Sequence, residues 1–231
     1  MLKVNEIFPS YQGEGIFAGA KTFFVRLSGC NLKCEWCDSK GTWNNTNSKN
    51  MTAEQILDAI EESEYKGHNV CITGGEPLLQ QNDPEFMNLL SKLQALHLSD
   101  ISIESNGTIL PSEYTMRHIS TYAFSPKLRC MGGPGRVDTR TLKEIDSAIF
   151  LHSHGARVIY KFVVDIEEDK FNQCLKEIND IREVVDMPAA DIFLMPIGTD
   201  PLDILKDTQK LMNLKHPYSV STRQHILFNQ R

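Results

Sequence analysis

The chain has no apolar run near the roughly 18 residues that a membrane-spanning helix needs, so it is expected to stay out of the bilayer. Behind Lys3 and Glu6 no apolar stretch follows, which predicts the absence of a signal peptide and a cytoplasmic protein. Positive charge is not in surplus: 24 Lys and Arg face 30 Asp and Glu, a net charge of −6. A broad nucleic-acid-binding face needs clustered positive charge, so this balance argues against that class. Linkers, internal repeats and low-complexity tracts are missing too, which predicts one domain over residues 1–231.

What the chain does have is length and cysteine. With 231 residues, 41% of them hydrophobic, it can bury a core without covalent staples. Its six cysteines therefore do not suggest three disulfides, a pattern of small secreted chains. They are also spread unevenly. Cys30, Cys34 and Cys37 crowd into one segment, while Cys71, Cys130 and Cys174 stand alone. A tight cluster in an intracellular chain points first to a metal site. Cys71 in an apolar strand and Cys174 on an apolar helix face fit as small hydrophobes. Cys130 receives no role, and His152 and His154 are expected to be solvated.

Apolar β-rich runs alternate with segments of helical period. Strands are predicted over 22–27, 69–73, 100–104, 121–124, 157–164 and 192–195. Helices are predicted over 51–66, from the Asp83 cap to Leu96, and over 112–119, 141–150, 167–184 and 202–214. Thr52 with Gln55 spells a capping box, and Asp83 followed by Pro84 marks a helix start. Residues 130–136 are expected to form a glycine-rich loop, and 219–228 a terminal extended segment. Alternating β and α elements imply a parallel sheet with right-handed crossovers. About six βα units fall short of the eight in a closed barrel. The fold class is therefore α/β, an open partial (β/α)6-type barrel.

The unusual residues follow the predicted strands: the cysteine loop, then Gly74-Gly75-Glu76-Pro77, Glu104–Gly107 and Ser125-Pro126-Lys127. In parallel α/β sheets these C-terminal ends share one rim, where such folds bind ligands. The loop itself reads C-x3-C-x2-C. Three thiolates hold three corners of a cubane iron–sulfur cluster and leave one iron open. Zinc with three cysteines and one histidine competes, but the nearest histidine downstream is His68, beyond a predicted helix.

C-x3-C-x-aromatic-C, closed here by Trp36 and Cys37, resembles the signature of the radical S-adenosylmethionine enzymes. In that family the open iron is chelated by S-adenosylmethionine, which is cleaved to a 5′-deoxyadenosyl radical. Gly74-Gly75-Glu76-Pro77 resembles the second family motif, where glycine permits close approach to the methionine moiety. With Phe8-Pro9-Ser10-Tyr11-Gln12-Gly13-Glu14-Gly15 and the rim motifs, the chain resembles the 7-carboxy-7-deazaguanine synthases from Ile7 to about His225.

The resemblance implies a radical S-adenosylmethionine fold that converts 6-carboxy-5,6,7,8-tetrahydropterin to 7-carboxy-7-deazaguanine with loss of ammonia. It implies a [4Fe-4S] cluster on Cys30, Cys34 and Cys37, and S-adenosylmethionine beside Trp36, Gly74, Gly75, Glu76, Glu104, Asn106, Ser125 and Lys127. The pterin falls to Gln12, Glu14, Arg26 and His225. Mg2+ is implied on the hydroxyl after the last cysteine and its aspartate; the family usually has threonine there, and this chain has Ser39, still a hard oxygen. A low-potential flavodoxin or ferredoxin donor and a homodimer are implied as well.

Residue chemistry agrees with these assignments. Glu14 suits the amino and ring N–H donors of a pterin, Gln12 a neighbouring carbonyl or amide edge, and Glu104 a ribose diol. Arg26 stands in an otherwise apolar strand and needs an anion: a substrate carboxylate, or an internal salt bridge to a rim glutamate. Two alternatives stay open. A glycyl-radical-enzyme activase would share the cluster loop and lack the pterin-shaped polar pocket; a zinc-binding scaffold would carry no cluster.

Overall fold

The computed structural model describes residues 1–133 and 138–230. The end of the expected glycine-rich loop, 134–136, and the terminal Arg231 lie outside the described residues. Of that loop, Arg129–Met131 forms a single 3-10 turn.

The strands are β1 (Leu2–Tyr11), β2 (Lys21–Leu27), β3 (Lys49–Met51), β4 (Asn69–Gly74), β5 (Ile101–Ser105), β6 (Thr121–Phe124), β7 (Arg157–Val164), β8 (Ile192–Pro196) and β9 (Ser219–Val220). They form one nine-stranded sheet in the order β3-β1-β2-β4-β5-β6-β7-β8-β9. From β2 to β9 every neighbouring pair is parallel, while β1 runs antiparallel to both β2 and β3. The edge strands β3 and β9 do not pair, so the sheet stays open as a partial barrel.

Helices α1 (Ala53–Glu61), α2 (Pro84–Gln94), α3 (Glu113–His118), α4 (Thr139–His152), α5 (Glu168–Val185) and α6 (Pro201–Asn213) lie along the chain between strands, and α7 (Gln224–Leu227) ends it. Most begin on a side chain that accepts an otherwise orphaned backbone N–H. Thr52 and Gln55 make the expected capping box. Asp83, Ser112, Asp138 and Asp200 cap α2, α3, α4 and α6. Ile56, Ile60, Leu89, Leu93, Ile145, Ile149 and Ile178 turn inward against Val25, Ile72, Ile103, Phe162 and Leu194 in one core. A smaller cluster of Phe8, Phe24 and Cys71 is separate from it, with the two rings stacked at 5.2 Å. Cys174 is buried on α5 as expected, its sulfur 3.4 Å from that of Cys130.

Three expectations are corrected. The helix over 51–66 is shorter, because turns take over from Glu62 and the Ser63 hydroxyl bonds back to Ile60 O. β1 and β3 were not anticipated. The register of β1 slips between Val4 and Glu6, which breaks the two-residue alternation that marks a strand, and Pro9 argues against one. Pro9 is tolerated because β3 pairs only with Leu2–Val4, leaving that side of β1 unladdered. Finally, 219–228 is not one extended segment. After β9 it folds into α7, drawn across the site by a bond from Gln224 N to Gly13 O of 3.0 Å. No helix among the described residues is long and apolar enough to cross a membrane.

Candidate active site

A cavity of about 510 Å3 opens at the C-terminal ends of β4 to β8. The cysteine loop forms one wall. It leaves β2 at Leu27, and its entry is fixed by backbone: Gly29 N donates to Thr42 O at 2.7 Å and Glu76 N to Gly29 O at 2.8 Å. Gly75 must be glycine, because a Cβ there would stand 2.2 Å from Gly29 O and 2.9 Å from Cys30 Cβ. The close approach that glycine permits is thus between the motif after β4 and the cysteine loop itself.

Side chains complete the seating. Asn106 Nδ2 donates to Asn31 Oδ1 at 2.9 Å, and the Trp36 indole N–H donates to Met131 O at 2.8 Å. Lys127 Nζ donates to Ser125 Oγ at 2.8 Å and lies 5.3 Å over the Trp36 ring. Burial pushes the Lys127 ammonium down and the Cys30 and Cys34 thiols up. Cys30, Cys34 and Cys37 are all free and all line the cavity. Among the described residues, no three His, Cys, Asp or Glu side chains are arranged around a single metal ion. In a cubane each of three thiolates takes a different iron, and the fourth iron stays open.

The opposite wall is polar and held from both ends of the chain. Lys161 on β7 is 4% exposed and bridges two carboxylates, Glu14 at 2.9 Å and Glu104 at 2.7 Å. Burial alone would raise the Glu104 pKa; the Lys161 charge, with hydrogen bonds from Lys161 and Thr73, outweighs it and holds the carboxyl well below its ordinary value. For Lys161 burial works downward, and Glu104 and Glu14 more than reverse it. Gln12 reaches Glu104 at 3.4 Å through Nε2 and accepts Glu14 N at 3.2 Å through Oε1. The C-terminal segment locks this loop: Gly15 N donates to Ser221 Oγ at 2.9 Å, and a Cβ on Gly13 would fall 2.1 Å from His225 Nδ1.

Between the two walls, Arg26 Nε donates to Glu6 Oε1 at 2.9 Å and Nη1 to Ser39 Oγ at 3.2 Å. Ser39 Oγ donates to Asp38 Oδ1 at 3.0 Å. Arg26 thus meets its anion inside the protein, on β1 and not among the rim glutamates, while still lining the cavity.

This geometry is matched by similarity to known proteins. Residues 24–121 match the Radical SAM superfamily. The chain is 32% identical to the 7-carboxy-7-deazaguanine synthase of Hyperthermus butylicus, across 98% of this chain and 92% of that one. It is also 32% identical to the enzyme of that name from Halobacterium salinarum, over 97% and 89% of the two chains. The chain belongs to the 7-carboxy-7-deazaguanine synthase family. The crystal structure of QueE from Escherichia coli superposes with a TM-score of 0.61 at 23% identity, covering 95% of this chain and 92% of that one, which supports the fold.

For a member of this family, the expected residues converge well. Gln12, Glu14, Arg26, Cys30, Cys34, Trp36, Cys37, Ser39, Gly74, Gly75, Glu104, Asn106, Ser125, Lys127 and His225 all line one cavity. The Glu76 side chain is not among the residues lining the cavity. It is fully buried behind the wall, where it accepts from Leu78 N at 3.1 Å, Ser105 Oγ at 3.0 Å and Asn106 N at 2.7 Å. Its carboxylate ties the turn after β4 to the end of β5. Lys161 and Arg223 line the cavity without having been anticipated. Lys161 was detectable by the criterion that singled out Arg26, a lone cation inside an apolar strand.

Proposed function

We infer that the protein is a radical S-adenosylmethionine enzyme that converts 6-carboxy-5,6,7,8-tetrahydropterin to 7-carboxy-7-deazaguanine in 7-deazapurine (queuosine) biosynthesis. The observation that carries this reading is the single cavity with two unlike walls: three free cysteines on one side, and a hydrogen-bonding wall of Gln12, Glu14 and His225 on the other. Support for treating residues 1–231 as one catalytic domain comes from the single continuous sheet.

In this reading Cys30, Cys34 and Cys37 hold the cluster, and Glu104, Asn106, Ser125 and Lys127 hold S-adenosylmethionine. When bound, the cluster supplies one electron to S-adenosylmethionine, and the pair supplies the hydrogen-abstracting radical. The chain's own part is to bind, orient and shield. Lys127 offers a cation to the cofactor carboxylate, and Glu14 accepts N–H donors of the pterin. The stacked Phe8 and Phe24 rings at the cavity surface give the pterin an apolar face. Mg2+ is assigned to Ser39, supported by two hard oxygens, Ser39 Oγ and Asp38 Oδ1, at 3.0 Å. Arg26 donates to the same hydroxyl, so a bound metal shares it with a guanidinium. The flavodoxin or ferredoxin donor and the homodimer rest on family membership alone.

The test is anaerobic reconstitution followed by incubation with the pterin, S-adenosylmethionine and a low-potential reductant. 7-Carboxy-7-deazaguanine is the expected product. Cleavage of the cofactor with no deazapurine formed would overturn the substrate assignment and favour a protein-directed activase.

A further inference from the structure

The Lys161 bridge leaves a charge imbalance. One ammonium serves two carboxylates with side chains only 15% and 24% exposed, Glu14 and Glu104. Its Nζ takes Glu14 Oε2 and Glu104 Oε1, which leaves Glu14 Oε1 turned elsewhere. The second cation is Arg223, whose side chain is 4% exposed and whose Nε lies 3.8 Å from that oxygen.

Arg223 is held from several directions. Its Nη1 donates to Gly198 O, and the same nitrogen is 3.9 Å from Asp38 Oδ2. The segment carrying it is docked on the loop that carries Glu14, through Ser221 Oγ to Gly15 N and Gln224 N to Gly13 O. Yet Nε is buried with no hydrogen-bond acceptor among the described residues. An orphaned donor of a buried guanidinium is costly, and the nearest carboxylate oxygen stands just beyond bonding distance. The Nε edge of a guanidinium suits a carboxylate, and a lysine does not reproduce that planar fork.

We propose that Arg223 is a positioning residue for Glu14: it closes on Oε1 and, with Lys161, fixes the carboxylate toward a ligand edge that offers adjacent N–H donors. This rests on the pterin reading above and adds to it a source of specificity. A 2-amino pterin presents such donors, whereas the corresponding 2-oxo lumazine turns a carbonyl toward the carboxylate and is rejected.

The experiment measures binding of 6-carboxypterin and 6-carboxylumazine, both inert to the radical chemistry, to the reconstituted holoenzyme by fluorescence. The wild-type chain is expected to favour the amino compound at least tenfold. Arg223→Met should weaken the amino compound about tenfold while leaving the dioxo compound nearly unchanged, so that discrimination collapses. Arg223→Lys should restore part of it. In turnover the loss should fall on KM more than on kcat, with iron content and S-adenosylmethionine affinity unaltered. Equal weakening of both ligands, or unchanged discrimination in Arg223→Met, would overturn the assignment. Failure of the wild-type chain to bind either compound would overturn the pterin reading and this inference together.

Discussion

Lys161 shows how much one side chain carries here. Its ammonium is buried, and the carboxylates it serves sit on different elements, Glu14 after β1 and Glu104 on β5. Lys161→Met keeps the volume, takes the ion-pair partner from Glu104 and leaves Glu14 only the more distant Arg223, so it is expected to destabilise the protein by about 3–5 kcal/mol, read as a lowered midpoint in urea. The pH dependence follows from the directions of the shifts. Glu104 is depressed in the folded state, so its stabilisation is full above the ordinary value of 4.5 and is lost as pH falls toward about 2. Lys161 is raised, so its share persists below the ordinary 10.5 and is lost only as pH climbs past it. Urea midpoints across pH should therefore be level through neutrality and fall at the acid end, and in Lys161→Met that fall should shrink, because without the ammonium burial no longer leaves the Glu104 carboxyl depressed and protonating it no longer costs the folded state. Ser39 makes a narrower case. Its hydroxyl is shared with Arg26 and Asp38, so Ser39→Ala should abolish any rate increase on Mg2+ addition while leaving cluster content unchanged. Ser39→Thr should reach half-maximal stimulation at lower Mg2+. A Ser39→Ala enzyme that still responds to the metal would remove this residue from the assignment.

At the scale of elements, the end of β4 and the start of the cysteine loop are one packed unit. Gly75→Ala places a methyl against Gly29 O and Cys30 Cβ, both part of the loop entry. The sheet has no reason to unfold, so far-ultraviolet circular dichroism should be retained while iron and sulfide per chain fall after reconstitution. Full cluster loading in Gly75→Ala would show that the contact is not needed to seat the loop. The order of βα units was legible because parallel strands buried on both faces appear as short apolar runs, and because Thr52, Asp83 and Ser112 announce helix starts. β1 was not, since its slip between Val4 and Glu6 cancels the alternation a strand is recognised by. α7 was hidden for another reason: it has no buried residues of its own and is set by its contact with the Gly13 loop, a partner far away in sequence. The tie that the Glu76 carboxylate makes to Ser105 and Asn106 was not legible, because a motif locates a residue without saying which way its side chain turns.

Across the whole molecule, the site is built from rim residues on a continuous sheet and from segments near both ends of the chain. The cluster wall hangs on β2, β4 and β5 beside the main core, whose side chains are almost wholly buried. The polar wall instead depends on the 12–15 loop and the 221–226 segment, joined by Gly15 N to Ser221 Oγ and Gln224 N to Gly13 O, with little apolar burial behind α7. Stability is not uniform in such an arrangement, and elements with few buried apolar contacts open first. The two walls should therefore respond differently to ligand. In hydrogen exchange on the holoenzyme, the amides of Gly15 and Gln224 are expected to exchange well before those of β4 and β5, and 6-carboxypterin should slow them strongly. S-adenosylmethionine alone should act mainly on the rim between Gly75 and Asn106, because its assigned contacts lie there. If the pterin protected only the cysteine-loop side and left Gly15 and Gln224 unchanged, the polar wall would not be where the substrate sits.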